Sequence, residues 1–214
     1  MPVFELDKTL VFPPVHLAEP DGLLAYGGDL RPERLLLAYR SGIFPWYSEK
    51  PILWWSPDPR FVLRPADLKV SASMKQVLKK GIFNITVNKD FSAVMSNCGR
   101  IARPGQDSTW ITKEMLKAYE KLHEMGHAVS VECWQENKLV GGLYGIRIGK
   151  CFFGESMFAK ASNASKAAFI TYVRQLQEEG IVLIDCQVET EHLASLGAGF
   201  MSRKDFIQTI QENF

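Results

Sequence analysis

A chain of 214 residues and 24.2 kDa, 46% hydrophobic and 23% charged, can bury a full core without disulfides or metal to staple it, and is neither disordered nor fibrous in composition. The opening MPVFELDKTLVFPP lacks the basic start and apolar run of a secretion signal, and no stretch approaches the ~18 apolar residues that span a bilayer, so a cytoplasmic location is expected. The formal net charge is only +1, yet residues 60–90 carry seven basic side chains (Arg60, Arg64, Lys69, Lys75, Lys79, Lys80, Lys89) against Asp67 and Asp90, a modest footprint for a polyanionic partner.

Nine of the eleven prolines and three of the five tryptophans fall within the first 62 residues, which predicts a small, turn-rich domain over 1–62 and a second domain over 63–214. A helix starts at Arg31 or Pro32 and runs through Glu33, Leu36, Leu37 and Tyr39 until Gly42 ends it. The aromatic and proline segment GIFPWYSEKPILWWSPDPR follows without helical period. From residue 63 the elements become regular: a helix over Ser73 to Lys80 closed by Gly81, then a strand from Ile82 to Val87. Thr112 caps a helix with the face Met115, Leu116, Tyr119 and Leu122, which Gly126 ends. Three strands follow, Ala128 to Trp134, Lys138 to Ile148 and Cys151 to Phe158, joined by short turns. A helix from Asn163 to Glu178, the strand IVLIDCQV and two short helices complete an α+β order. Cys98, Cys133, Cys151 and Cys186 form no C-x-x-C pair and read as reduced, buried small hydrophobes.

His123-Glu124-Met125-Gly126-His127 matches the H-E-x-x-H zinc pattern, which needs both imidazoles on one face of a continuous helix. Gly126 stands where the helix should stop, so no metal site is expected and His123 is free to meet the carbonyl dipoles of the helix end. Lys75, Lys79 and Lys80 lie at helical spacing, either as a solvated helix end or as contacts to nucleic-acid phosphates. The aromatic group Tyr39, Phe44, Trp46, Tyr47, Trp54 and Trp55 reads as core or as a platform for unpaired bases. On the apolar strand 181–188, alternation puts Asp185 and Gln187 on one face, as a functional pair or a hydrogen-bonded strand end. Glu155, set among the apolar neighbours of FFGESMF, needs a protein or ligand cation as partner.

Several motifs in fixed order resemble the leucyl/phenylalanyl-tRNA-protein transferase family over about residues 12–205. They are EPDGLL at 19–24 with GGDL at 27–30, GIFPW at 42–46, WWSPDPR at 54–60, TWIT at 109–112, VGGLYG at 140–145, GESMF at 154–158, NASK at 163–166 and LIDCQ at 183–187. The resemblance implies a small N-terminal α+β domain and a C-terminal domain of the acyl-CoA N-acyltransferase type. It also implies transfer of Leu or Phe, less readily Met, from aminoacyl-tRNA to proteins beginning with Arg or Lys, marking them for degradation, with no metal or organic cofactor. Carried over by resemblance, Asp185 and Gln187 are catalytic; Glu155 is suited to bind the acceptor peptide's cationic side chain or to assist the proton's departure, and the local basic run makes Lys75, Lys79 and Lys80 the candidates to hold the tRNA backbone. Tyr39, Trp46, Trp110, Tyr119, Leu143, Phe152 and Tyr172 surround the aminoacyl group and terminal adenosine; family members often have Met where Leu143 stands.

The residues suit this chemistry. An aminoacyl ester is already activated, so the enzyme chiefly positions it beside a neutral amine. Asp185 is expected to polarise and orient Gln187, whose side-chain carbonyl accepts a hydrogen bond from that amine. Two rivals are an acyl-CoA-dependent N-acyltransferase, disfavoured because MFAKASNAS has no glycine to cradle a pyrophosphate, and a non-catalytic RNA-binding module, disfavoured by the inward pair Asp185 and Gln187.

Overall fold

The computed structural model describes residues 3–101 and 111–214. Its first sheet has the order β1-β2-β4-β3, built from β1 (Phe4–Leu6), β2 (Leu23–Gly27), β3 (Phe44–Pro45) and β4 (Leu53–Trp55). Helix α1 (Pro32–Arg40) intervenes after β2. Pro32 opens it and Gly42, at φ +72°, follows its end, so both punctuating residues act as the sequence suggests. The chain then enters the large sheet with β5 (Arg60–Leu63), so the expected domain boundary at residue 62 falls within a strand, and the change of sheet comes between Trp55 and Arg60.

Beyond β5 come α2 (Ala72–Lys79), β6 (Asn84–Val87), α3 (Phe91–Arg100), α4 (Lys113–Glu124), β7 (Ala128–Gln135), β8 (Lys138–Ile148) and β9 (Cys151–Ala159). The rest is α5 (Ala164–Glu178), β10 (Leu183–Gln187), α6 (Glu191–Ser195), β11 (Gly199–Met201) and α7 (Arg203–Gln211). The second sheet has the order β11-β5-β10-β9-β8-β7-β6 and is antiparallel except where β9 meets β10. The expected α+β class is therefore formed, and the meander, helix and parallel return strand are the layout expected of an N-acyltransferase-like domain.

Helix α3 and strand β11 were not expected. Asp90 caps α3 by accepting from the Ala93 N–H, and Phe91, Val94, Met95 and Cys98 go inward, a short amphipathic repeat that reads weakly beside its neighbours. Thr112 caps α4 as expected, accepting from Met115 N–H at 3.2 Å. The helix stops at Glu124, and Gly126 is left-handed at φ +81°, so His123 and His127 share no helical face. His123 instead stacks on Phe91 with centroids 4.4 Å apart, and its Nδ1 lies 2.8 Å from the Ala128 carbonyl. Among the described residues no group of three or more His, Cys, Asp and Glu is placed to hold a metal, and no helix is long and apolar enough to cross a membrane.

The core lies on both faces of the large sheet, and the face toward α3 and α4 merges with that of the first sheet through α1. Two glycines of the VGGLYG run permit this packing. A Cβ on Gly141 would lie 2.7 Å from Ala164 at the start of α5, and one on Gly145 only 2.5 Å from the Phe152 ring. All four cysteines are buried thiols, as expected. Burial pushes the Cys151 thiol up to about 12, with the Asp185 carboxylate adding to the effect.

Candidate active site

Strands β9 and β10 pair only through Leu183 with Cys151, Ile184 with Phe152, and Asp185 with Phe153. Strand β9 continues to Ala159, but β10 stops at Gln187, so the two part company beyond Asp185. The gap is a cleft of about 470 Å³, mostly apolar, lined among others by Leu143, Phe152, Phe158 and Phe169, with Glu155 and Gln187 as polar members. Such a concave apolar site with a few converging polar groups is where a ligand is expected.

At Gln187 the strand register slips against β5, and the residue adopts φ +66°, a left-handed conformation uncommon for a side chain other than glycine. Asp185 supports it. Its Oδ1 accepts from the Gln187 backbone N–H at 2.9 Å, closing a two-residue turn over Cys186. The same carboxylate is gripped by Arg60, whose Nε and Nη2 each donate at 2.8 Å in a fork-on-fork pair. Arg60 and Asp185 are both about 1% exposed. The guanidinium lies between two rings, 4.6 Å from the centroid of Phe44 on β3 and 4.7 Å from that of Phe206 on α7.

This corrects the expected contact between the pair. Asp185 meets the backbone of Gln187 and not its amide, because the slip in register turns the Gln187 side chain away, toward Glu155. Gln187 Nε2 donates to Glu155 Oε1 at 3.1 Å. Tyr39 donates to the same oxygen at 2.7 Å, and the Tyr119 oxygen lies within hydrogen-bond distance of Oε2, at 3.0 Å. Burial pushes the Glu155 carboxyl up to about 7; the hydrogen bonds with Tyr39 and Tyr119 pull the other way, and the Asp185 charge adds to the rise. Both tyrosines are held well above their ordinary range, first by burial and then by the Glu155 charge.

The remaining expected site residues separate. Leu143 and Phe152 line the cleft; Tyr39 and Tyr119 lie beneath Glu155; Tyr172 packs edge-on behind Phe152 at 5.3 Å. Trp46 does not line the cleft. It is 39% exposed and packs on Trp55, whose Nε1 donates to the Trp46 carbonyl. Trp110 lies outside the described residues. Lys75, Lys79 and Lys80 are exposed on and just beyond α2, whereas Arg60, from the same basic run, is inside the protein. Sequence reading missed Arg60 as the partner of Asp185, although a carboxylate on an apolar strand demands a buried cation. It also missed His192 at the cleft wall, whose imidazole pKa is lowered by burial and then by nearby Lys166.

Residues 62–211 match the family model described as leucyl/phenylalanyl-tRNA protein transferase, and residues 28–58 match the model of that family's N-terminal domain. The chain belongs to the leucyl/phenylalanyl-tRNA-protein transferase family. A leucyl/phenylalanyl-tRNA-protein transferase of Syntrophobacter fumaroxidans is 56% identical over all 214 residues, which cover 92% of its length. One from Flavobacterium johnsoniae is 54% identical over 98% of this chain and 99% of its own. Among solved structures, L-PGS from Bacillus licheniformis is 12% identical, with a TM-score of 0.42, over 89% of this chain and 64% of that one. As an enzyme of this transferase family, the chain has Asp185, Gln187 and Glu155 of its LIDCQ and GESMF runs together at one cleft.

Proposed function

We propose that this transferase moves leucine or phenylalanine, and less readily methionine, from aminoacyl-tRNA to the α-amino group of proteins beginning with arginine or lysine. It does so in the cytoplasm and marks those proteins for degradation. The observation that carries the reading is the strained Gln187 at the mouth of an apolar cleft, with its Nε2 on Glu155. That contact turns the Gln187 carbonyl oxygen toward an incoming donor, and the attacking amine is such a donor.

In the proposed step the amine nitrogen attacks the ester carbonyl, the bond from that carbon to the ribose oxygen breaks, and the ribose oxygen leaves with a proton. The amine must first be neutral, and an α-amino group with a pKa of about 8 is mostly protonated at pH 7. Gln187 orients the amine by accepting a hydrogen bond from one of its N–H groups. Asp185 and Arg60 act through the backbone, fixing where that oxygen points. Leu143 and Phe152 receive the apolar aminoacyl side chain, and Glu155 receives the cationic side chain of the acceptor's first residue. Lys75, Lys79 and Lys80 meet tRNA phosphates from their exposed helix.

The test is to incubate the pure protein with leucyl-tRNA and a peptide beginning with Arg. A Leu-Arg product supports the proposal; its absence, with acyl transfer from acetyl-CoA instead, would make this an acyl-CoA enzyme.

A further inference from the structure

Glu155, Tyr39 and Tyr119 touch one another in a closed triangle: 2.7 Å from the Tyr39 oxygen to Oε1, 3.0 Å from the Tyr119 oxygen to Oε2, and 2.5 Å between the two phenol oxygens. Three such contacts need three protons. With Glu155 ionised the triangle holds two, one on each phenol. If both point at the carboxylate, the shortest contact of the three is left with no proton and two facing lone pairs.

A neutral Glu155 supplies the missing proton, and Gln187 fixes where it sits. Because Oε1 accepts from both Tyr39 and Gln187 Nε2, it is the carbonyl oxygen of the acid, and Oε2 carries the proton. The bonds then run one way round: Oε2–H to Tyr119, Tyr119 O–H to Tyr39, and Tyr39 O–H to Oε1. Every contact is satisfied. Both tyrosines are fully buried, which disfavours a charge beside them.

Among the described residues, the other groups facing this triangle do not supply a cation. Tyr144 of β8 packs edge-on to Tyr119. Asp185 of β10 raises the Glu155 carboxyl and already has Arg60 of β5 as its partner. His192 of α6, on the same cleft, is held toward its neutral form. Among the described residues no side chain brings a cation to Glu155, and the cleft is the way in for one from outside.

We propose that Tyr39, Tyr119 and Glu155 form a proton-linked receptor: with the cleft empty the ring holds Glu155 as the neutral acid, and a cationic group arriving through the cleft expels the ring's third proton. This rests on the reading of Glu155 as the receptor for the acceptor's first side chain. Tyr39 and Tyr119 are positioning residues, since they act through Glu155. The balance is one cation bound and one proton released, with the ring's charge falling from zero to minus one. The rise of the carboxyl to about 7 by burial places the exchange near neutral pH.

The experiment has two arms. Infrared spectra of the free enzyme at pH 6 should show a protonated carboxylic acid band that Glu155→Gln removes; ordinary surface carboxylates are ionised at that pH. Titration with the amidated dipeptide Arg-Ala, followed by calorimetry in two buffers of different ionisation enthalpy, should then release most of one proton per site at pH 6 and almost none at pH 8.5. Glu155→Gln should bind the dipeptide more weakly and release none, and Tyr119→Phe, which removes the 2.5 Å contact, should release less than half as much as the native protein. If Glu155→Gln weakens binding but the native protein shows no acid band or releases no proton, the ring is overturned and the receptor reading survives. If Glu155→Gln binds the dipeptide as tightly as the native protein, the receptor reading itself fails, and the proposal with it.

Discussion

Replacing Arg60 by Met keeps much of the stem but leaves the Asp185 carboxylate buried with no cation. Both members are about 1% exposed, so solvent cannot take over from the lost partner. Breaking a buried pair from one side typically costs ~3 to 5 kcal/mol, a large share of the ~5 to 15 kcal/mol by which a domain is stable. For a chain of this size each kcal/mol moves the melting temperature by about 2 to 4 °C, so Arg60→Met should lower it by roughly 6 to 20 °C. Asp185→Leu should cost a similar amount, since it strands the guanidinium between Phe44 and Phe206. The double variant removes both charges and should recover most of the loss, because an apolar pair of similar volume often replaces a buried ion pair at little cost. Transfer activity should not recover, because Gln187 N–H has lost its acceptor and nothing holds the residue left-handed. Thermal unfolding by circular dichroism and single-turnover transfer on the same three proteins check both halves. Single variants that lose less than ~1 kcal/mol, or a double variant that loses the full sum of the two, would refute the coupled pair. A double variant with native turnover would show that Asp185 does not act through the Gln187 backbone.

Glu155→Gln should also report through stability. The folded carboxyl is raised from its ordinary 4.5 to about 7, so its contribution is complete below about 4.5 and is lost as pH rises through 7; unfolding scans should show the variant up to ~3 kcal/mol more stable than the native protein at pH 8 and equal to it at pH 4.5. No such gain at pH 8 would mean that Glu155 is not destabilised by its burial. Replacing Lys75, Lys79 and Lys80 together by Ala should raise the Michaelis constant for aminoacyl-tRNA and flatten its dependence on salt, as fewer counterions are released; an unchanged slope moves the tRNA elsewhere. Leu143→Met, at the cleft wall, should shift the ratio of leucine to methionine transfer within the ~1 to 3 kcal/mol that a methylene or branch is worth, leaving use of an Arg peptide nearly unchanged.

Elements with strong punctuation were legible. Gly42, Gly81, Gly126 and Gly180 each follow a helix at positive φ, and the strand Lys138–Ile148 was delimited to the residue. Helix α3 was not, because its ten residues carry only a short apolar face, interrupted by Ser96, Asn97 and Gly99. In the site, composition singled out Asp185, Gln187 and Glu155, since polar side chains on apolar strands need partners. Period-two alternation could not give their contacts. It assumes a regular strand, and the register slip at Gln187 breaks that assumption at the residue that matters. Pairings such as Arg60 with Asp185, or Tyr39 with Tyr119, join positions far apart in the chain, and no local pattern carries that information.

The aromatic sandwich around Arg60 draws on four separate places. Phe44 comes from the first sheet, Arg60 from β5, Asp185 from β10 and Phe206 from α7. For anyone building chimaeras between relatives, these four side chains are therefore a single heritable unit. A crossover just after residue 58, where the first matched segment ends, would take Phe44 from one parent and the other three from the second. Such a hybrid keeps its function only where the parents agree on the shape of that one ring, so compatibility between halves is decided at a residue that touches neither the cleft nor the surface.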